Sequence, residues 1–233
     1  GLNGERNAIN VIDRRSAYAV ILACVTITDA IKIAALKIWR AIMKSAGHGD
    51  AFGQLRGDQA FTTQAVKDWA QSEGAIHQAS PPYQHEASGA IERFNRSITE
   101  KALAMMISAW CDFSLWVYAW SYAVWLYNRT PQQRRGWKSP YEIVHGKAPS
   151  DLKYARPFGS LVYYHVDRDS KKRKLDARAR PGLYLGPSAD GPASSYILQL
   201  DEPGQRVVER GFIISNLVSV DTSGRLLGNK QHR

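Results

Sequence analysis

Residues 8–12 and 18–25 are mostly apolar and β-branched, with the polar run Asp13-Arg14-Arg15-Ser16 between them. That pattern predicts two buried strands joined by a turn. Thr28 stands where a helix N-cap belongs, and Ile31, Ala35, Ile38 and Ile42 then form an apolar stripe that Gly47 is expected to end. Leu55 marks a short strand ending at Asp58. A second helix is expected from Thr62 or Thr63 to Gly74, burying Val66 and Trp69, and residues 75–78 read as another short strand. Pro81-Pro82 begins a loop. Beyond it Ile91, Phe94, Ile98, Ala102 and Met105 predict a helix over 89–109, with Glu92, Arg93, Arg96 and Thr99 on the opposite face. The stretch 114–127 is aromatic on several sides and predicts a sandwiched helix, ended by Pro131 and followed by a basic loop over 132–138.

From residue 158 the period changes. Short β-like runs at 161–164, 183–185, 196–200 and 207–208 alternate with turns such as Asp201-Glu202-Pro203-Gly204. They predict a small all-β module. The pattern thus divides the chain into an α/β domain over 1–149, a β module over 150–216 and a polar tail over 217–233. No internal repeat is visible.

Composition narrows the partners. The 233 residues carry a net charge of +10 and a pI near 9.7, the electrostatic footprint of a nucleic-acid binder, although a basic soluble protein would share it. Hydrophobic content of 44% is that of a chain able to bury a core. Only Cys24 and Cys111 are present, which is no disulfide framework and suits a reducing, intracellular compartment. No Cys/His spacing suits zinc, no apolar run is long enough to span a membrane, and no signal peptide is visible. The first residue is Gly, so the chain is expected to be a piece of something longer.

Two acids carry the candidate chemistry. Asp58 ends a strand, the edge of an α/β sheet where ligands bind. Glu92, 34 positions later, opens the long helix beside Arg93 and Arg96. Carboxylates from separate elements can hold Mg²⁺ through hard oxygen ligands, and a metal pair about 3.5–4 Å apart can clamp both oxygens of a phosphoryl transfer. Arg93 and Arg96 would take phosphates. A solvated turn Asp and a helix-start Glu favoured by the macrodipole give the same pattern. Lys171-Lys172-Arg173-Lys174 fits either a basic patch or a solvated turn. Trp116, Trp120 and Trp125 fit helix packing better than a base-stacking platform.

Ordered motifs add a resemblance. The stretch from Pro82 to Arg96 resembles the Y-T-P-Q-Q-N-G-V-A-E-R-x-N-R pattern of copia-type LTR retrotransposon integrases, keeping Tyr83, Gly89, Glu92, Arg93, Asn95 and Arg96. Ile12-Asp13 with Ser16 resembles the family's I-D-D-x-S-R. Asn128-Arg129-Thr130-Pro131 resembles N-R-T-P, and Ser139-Pro140-Tyr141-Glu142 resembles T-P-Y-E. Gly146-Lys147-Ala148-Pro149, Phe158-Gly159, Lys174-Leu175-Asp176 and Gly182-Leu183-Tyr184-Leu185-Gly186 follow in the family's order.

The resemblance implies an RNase H-like mixed sheet with flanking helices, then an SH3-like module. It implies an Asp-Asp-Glu triad binding Mg²⁺ or Mn²⁺, with Asp58 as second acid and Glu92 as third. Tyr83, Ser88, Arg93 and Arg96 become DNA contacts, the partners become element ends and target DNA, and the parent protein a homo-oligomer. The location implied is the nucleus, or a cytoplasmic element particle before import.

Three departures follow. In this register the family's first Asp and its central strand fall before Gly1, so neighbouring strand edges should be unpaired. The D-N-G-G-E-F turn is Asp58-Gln59-Ala60-Phe61 here, two residues shorter, and Gln84-His85-Glu86-Ala87-Ser88 has drifted from T-P-Q-Q-N. The expectation is a metal-dependent polynucleotidyl transferase segment, inactive as an isolated chain. The alternatives are a non-catalytic DNA-binding or assembly remnant and an unrelated basic protein.

Overall fold

The computed structural model describes residues 1–48, 52–58, 60–79, 85–165, 179–188, 194–200 and 206–219. The chain divides into two compact units. One comprises Leu2–Thr99 and Val124–Pro149; the other comprises Gly1, Glu100–Ala123 and Ser150–Arg233.

The first unit opens with a hairpin, β1 (Asn7–Ile12) paired antiparallel with β2 (Ala19–Cys24). The intervening turn is held by the Asp13 carboxylate, which accepts the Ser16 backbone N–H at 2.7 Å. Helix α1 (Asp29–Ser45) begins where the cap predicts, with Thr28 Oγ1 accepting from the Ile31 N–H. Its buried face differs from the expected stripe. Lys32, Ala35, Leu36, Trp39 and Met43 are buried, Ile38 is exposed, and Ile31 and Ile42 are half-buried. The larger Trp39 decides the rotation, since its ring meets Phe52 at 5.3 Å and Phe52 in turn meets Trp69 at 5.8 Å.

Strands β3 (Gln54–Gly57) and β4 (Ile76–Ala79) pair in parallel, with α2 (Gln64–Ser72) as the crossover. One core takes in Tyr18 and Val20 from the hairpin, Leu36, Trp39 and Met43 from α1, Leu55 from β3, and Val66 and Ala70 from α2. Among the described residues β1 pairs only with β2, and β3 is laddered only to β4. The two ladders share a core without forming one sheet. Helix α5 (Pro140–His145), absent from the sequence reading, is capped by Ser139, whose Oγ accepts the Glu142 N–H at 3.1 Å, and it adds Val144 to the core.

Two helices run through the division between units, α3 (His85–Ser108) and α4 (Trp116–Arg129). Among the described side chains of α3, Phe94, Ile98, Ala102 and Met106 are buried, while Met105 is half-buried. Trp110, in the left-handed region at φ 52°, closes the helix. The Cys111 N–H reaches back to the Met106 carbonyl at 3.1 Å, and the Trp110 N–H bonds that of Ile107.

The second unit carries an antiparallel five-stranded sheet of β5 (Ser160–His165), β6 (Ala179–Pro187), β7 (Ser195–Gln199), β8 (Val207–Arg210) and β9 (Phe212–Ser219). The order is β8-β7-β6-β5-β9. The α/β pattern followed by an all-strand pattern is therefore present as expected, with β9 as an addition. Tyr122 joins helix to sheet in this unit, meeting the Tyr184 ring edge-on at 5.7 Å and donating its hydroxyl to the Arg156 carbonyl. Burial raises both phenol pKa values and pushes the Cys111 thiol up to about 11. Trp116 and Trp120 pack on each other at 5.5 Å, in keeping with the packing reading.

Candidate functional site

Asp58 follows the last residue of β3 and is exposed. Its Oδ1 accepts the Phe61 N–H at 2.7 Å, and its backbone carbonyl accepts both the N–H and the hydroxyl of Thr62. The turn that sequence reasoning marked as shortened is thus closed on Asp58 itself. One carboxylate oxygen is committed to the backbone. Gly57 permits the close return, because a Cβ there would lie 3.0 Å from both Phe61 Cδ1 and Thr62 Cγ2.

A second device steadies this turn. Lys32 is buried on α1, and its Nζ bonds the Ala60 carbonyl at 2.8 Å and Asp29 Oδ1 at 3.1 Å. Lys32 holds the Asp29 carboxyl below its usual range, chiefly through that hydrogen bond. Sequence reasoning missed Lys32 because a lysine between two apolar helix positions looks solvated. No feature of the local sequence signals its partner 28 residues away.

Parallel pairing sets the direction of travel. Gly57 pairs with Ala79, so the carboxyl ends of β3 and β4 lie at one edge, and the chain leaves β4 towards α3. Helix α3 starts at His85, four residues before Gly89, so Glu92 is its eighth residue and lies about 10 Å along the axis. The macrodipole acts mainly within the first turn, so it does not account for an acid at that position.

The helix is pinned beside Glu92. Phe94 is buried and meets the Tyr127 ring at 4.9 Å, while Asn95 Oδ1 accepts from Asn10 Nδ2 on β1 at 2.9 Å. Those inward contacts leave Glu92, Arg93 and Arg96 on the exposed side, as the period predicted. Among the described residues Glu92 has no hydrogen-bond or ion-pair partner. Arg93 Nη1 folds back over Gly89, 3.1 Å from where a Cβ would stand. Asn95 and Lys32 are the positioning residues the sequence alone did not reveal.

Tyr83 lies outside the described residues, as do Lys171 to Lys174. Ser88 is described only as a helical position. No group of three or more His, Cys, Asp or Glu side chains suited to a metal occurs among the described residues. No described helix is long and apolar enough to cross a membrane.

Two curated relatives are retrovirus-related Pol polyproteins from Arabidopsis thaliana transposons. That of transposon RE2 is 30% identical over 134 residues, and that of RE1 is 33% identical over 122. The chain is similar to retrotransposon Pol polyproteins. These matches cover 58% and 52% of this chain but only 9% and 8% of the relatives' own lengths. No family profile matches the chain. Two solved structures are similar to it. One is a simian T-cell lymphotropic virus intasome in complex with PP2A regulatory subunit B56 gamma, with TM-score 0.48, 17% identity, and coverage of 94% of this chain and 72% of that one. The other is the HTLV-2 integrase catalytic core domain with magnesium in a trimeric form, with TM-score 0.46, 18% identity, and coverage of 58% and 82%.

Proposed function

We propose that this chain is the acid-bearing segment of an RNase H-like polynucleotidyl transferase that acts in DNA integration. In this reading Asp58 and Glu92 are metal ligands and Arg93 and Arg96 are phosphate contacts. The supporting observation is Glu92, an exposed carboxylate without a described partner, on a pinned helix turn beside Arg93 and Arg96. The donors suit Mg²⁺ or Mn²⁺, since both acids offer hard oxygens and Asp58 keeps one oxygen outside its own turn. A bound divalent ion would supply charge stabilisation for phosphoryl transfer. The protein's share is positioning. Lys32 and the Phe61 N–H fix the Asp58 turn, and Asn95 and Phe94 fix the rotation of α3. Tyr83 and Ser88 would add DNA contacts in this reading, and the antiparallel sheet would serve as an SH3-like grip.

In this reading Asp58 and Glu92 hold a divalent ion weakly, and the isolated chain transfers no strands. Titration with Mn²⁺ tests the site. Glu92→Gln and Asp58→Asn should each weaken binding about tenfold, as loss of a charged ligand would. Identical titrations for wild type and Glu92→Gln would overturn the assignment. In a strand-transfer assay with Mg²⁺ the chain should match Glu92→Gln, and Glu92-dependent product would overturn the inactivity. The committed Asp58 oxygen favours one other reading, a DNA-binding remnant without metal. That reading predicts DNA binding that falls with salt but is indifferent to Mn²⁺.

A further inference from the structure

The basic loop over 132–138 has a geometry that helix termination does not explain. Among the described residues three non-glycine residues have positive φ, namely Ala17, Trp110 and Trp137. Trp110 closes α3, as described. Trp137, at φ 61°, follows Gly136, which already takes the left-handed position ending the short 3-10 turn Gln133–Arg135. The second left-handed residue is therefore surplus to the cap, and a bulky side chain is strained there.

Backbone bonds hold that strain in place. Gln132 and Lys138 form a bridge, with the Gln132 N–H on the Lys138 carbonyl at 3.1 Å. The N–H groups of Arg135 and Trp137 both bond the Gln132 carbonyl, at 2.9 and 3.1 Å. The stems are anchored by buried residues, Asn128 and Arg129 before the loop and Ser139 and Pro140 after it. The loop is thus a rigid mount.

What it mounts is a 69% exposed indole among cations. Arg134 and Lys138 are exposed and have no described acidic partner. Arg135 is half-buried, and its Nε is buried without an acceptor. No Asp or Glu occurs from Arg129 to Tyr141. By contrast Trp110, equally exposed, stands beside Ile107, Cys111 and Asp112, without flanking cations.

We propose that this loop is a contact for an unpaired nucleotide, with Trp137 stacking on the base and Arg134, Arg135 and Lys138 holding the adjacent phosphates. A flat indole between fixed positive charges matches a π-face between fixed negative ones. A paired base held in the duplex stack is not free to enter such a site, so the preferred substrate is a single-stranded overhang. The inference rests on reading the chain as nucleic-acid binding and gives it a second contact apart from the acids.

The test compares labelled blunt duplex DNA with the same duplex bearing a short single-stranded overhang, using the whole chain. Wild type should prefer the overhang, and Trp137→Gly should lose about tenfold on it while leaving the blunt duplex unchanged. Trp137→Phe should keep most of the preference. Glycine also relieves the left-handed strain, so Trp137→Gly should melt at or above the wild-type temperature, whereas a merely structural tryptophan would lower it. If wild type binds both DNAs and the three proteins are indistinguishable, the loop contact is wrong while nucleic-acid binding stands. If wild type binds neither DNA, the broader reading fails first and takes this one with it. Trp137-dependent binding to anionic vesicles, with none to the overhang, would overturn the nucleotide in favour of a membrane surface.

Discussion

Asn128 gives both halves of its side-chain amide to one backbone residue. Its Oδ1 accepts the Ala19 N–H at 2.8 Å and its Nδ2 donates to the Ala19 carbonyl at 2.7 Å, so one side chain stands in for a neighbouring strand on the outer edge of β2. Asn128 and Ala19 are both buried, and truncation would orphan two backbone groups. Asn128→Ala should cost about 2–4 kcal/mol, seen as a lower denaturation midpoint with an unchanged slope. The next residue has an equally local job. The Arg129 guanidinium lies 4.0 Å from the Trp125 ring centroid and 4.9 Å from that of Tyr141. The sequence displayed Asn128-Arg129-Thr130-Pro131 as a motif, but not these roles. The amide's partner is 109 residues away, and no local pattern carries that distance. Glu92, Arg93 and Arg96 were legible because exposure on a helix follows from period alone.

Elements were legible where one face decides them. The hairpin, α1, α2 and most β-module strands fall close to the predicted runs. Helix α5 is only six residues long, too short to show a period, whereas the other misses come from tertiary choice among apolar residues. On α1 two candidate stripes overlap at Ala35, and aromatic packing selected the one containing Trp39. Strand β9 lies in an apolar stretch that had no turn signal of its own, and it completes the sheet by pairing with β5. The same sheet contains a sharp packing constraint at Gly182 on β6. A Cβ there would collide with Ile197 Cγ2 and lie 2.8 Å from the Leu198 carbonyl oxygen. Gly182→Ala should therefore destabilise by about 1–3 kcal/mol through overpacking. Gly53→Ala, where a Cβ meets nothing within 4 Å, should stay within about 0.5 kcal/mol. Equal thermal shifts in the two variants would contradict the packing account.

At the scale of the whole molecule, charge was read directly from the sequence and unpaired strand edges were expected from the resemblance, whereas the core that the two ladders share needed the structure. The hairpin and the parallel pair share the core around Leu36 and Trp39 yet are not joined by a ladder among the described residues. The alternation of β1 follows from the Asp13 N–H bonding the Tyr18 carbonyl, which turns Ile9 and Val11 towards β2 and Ala8, Asn10 and Ile12 away from it. In heavy water that alternation becomes a clock with two hands. The amides of Ile9 and Val11 should exchange only when the core opens, and those of Ala8, Asn10 and Ile12 far sooner. Residue-resolved exchange would show slow and fast amides interleaved along one strand, so β1 carries its own reference for telling local motion from global unfolding. Uniformly slow exchange along β1 would mean that some further segment has docked along its outer edge.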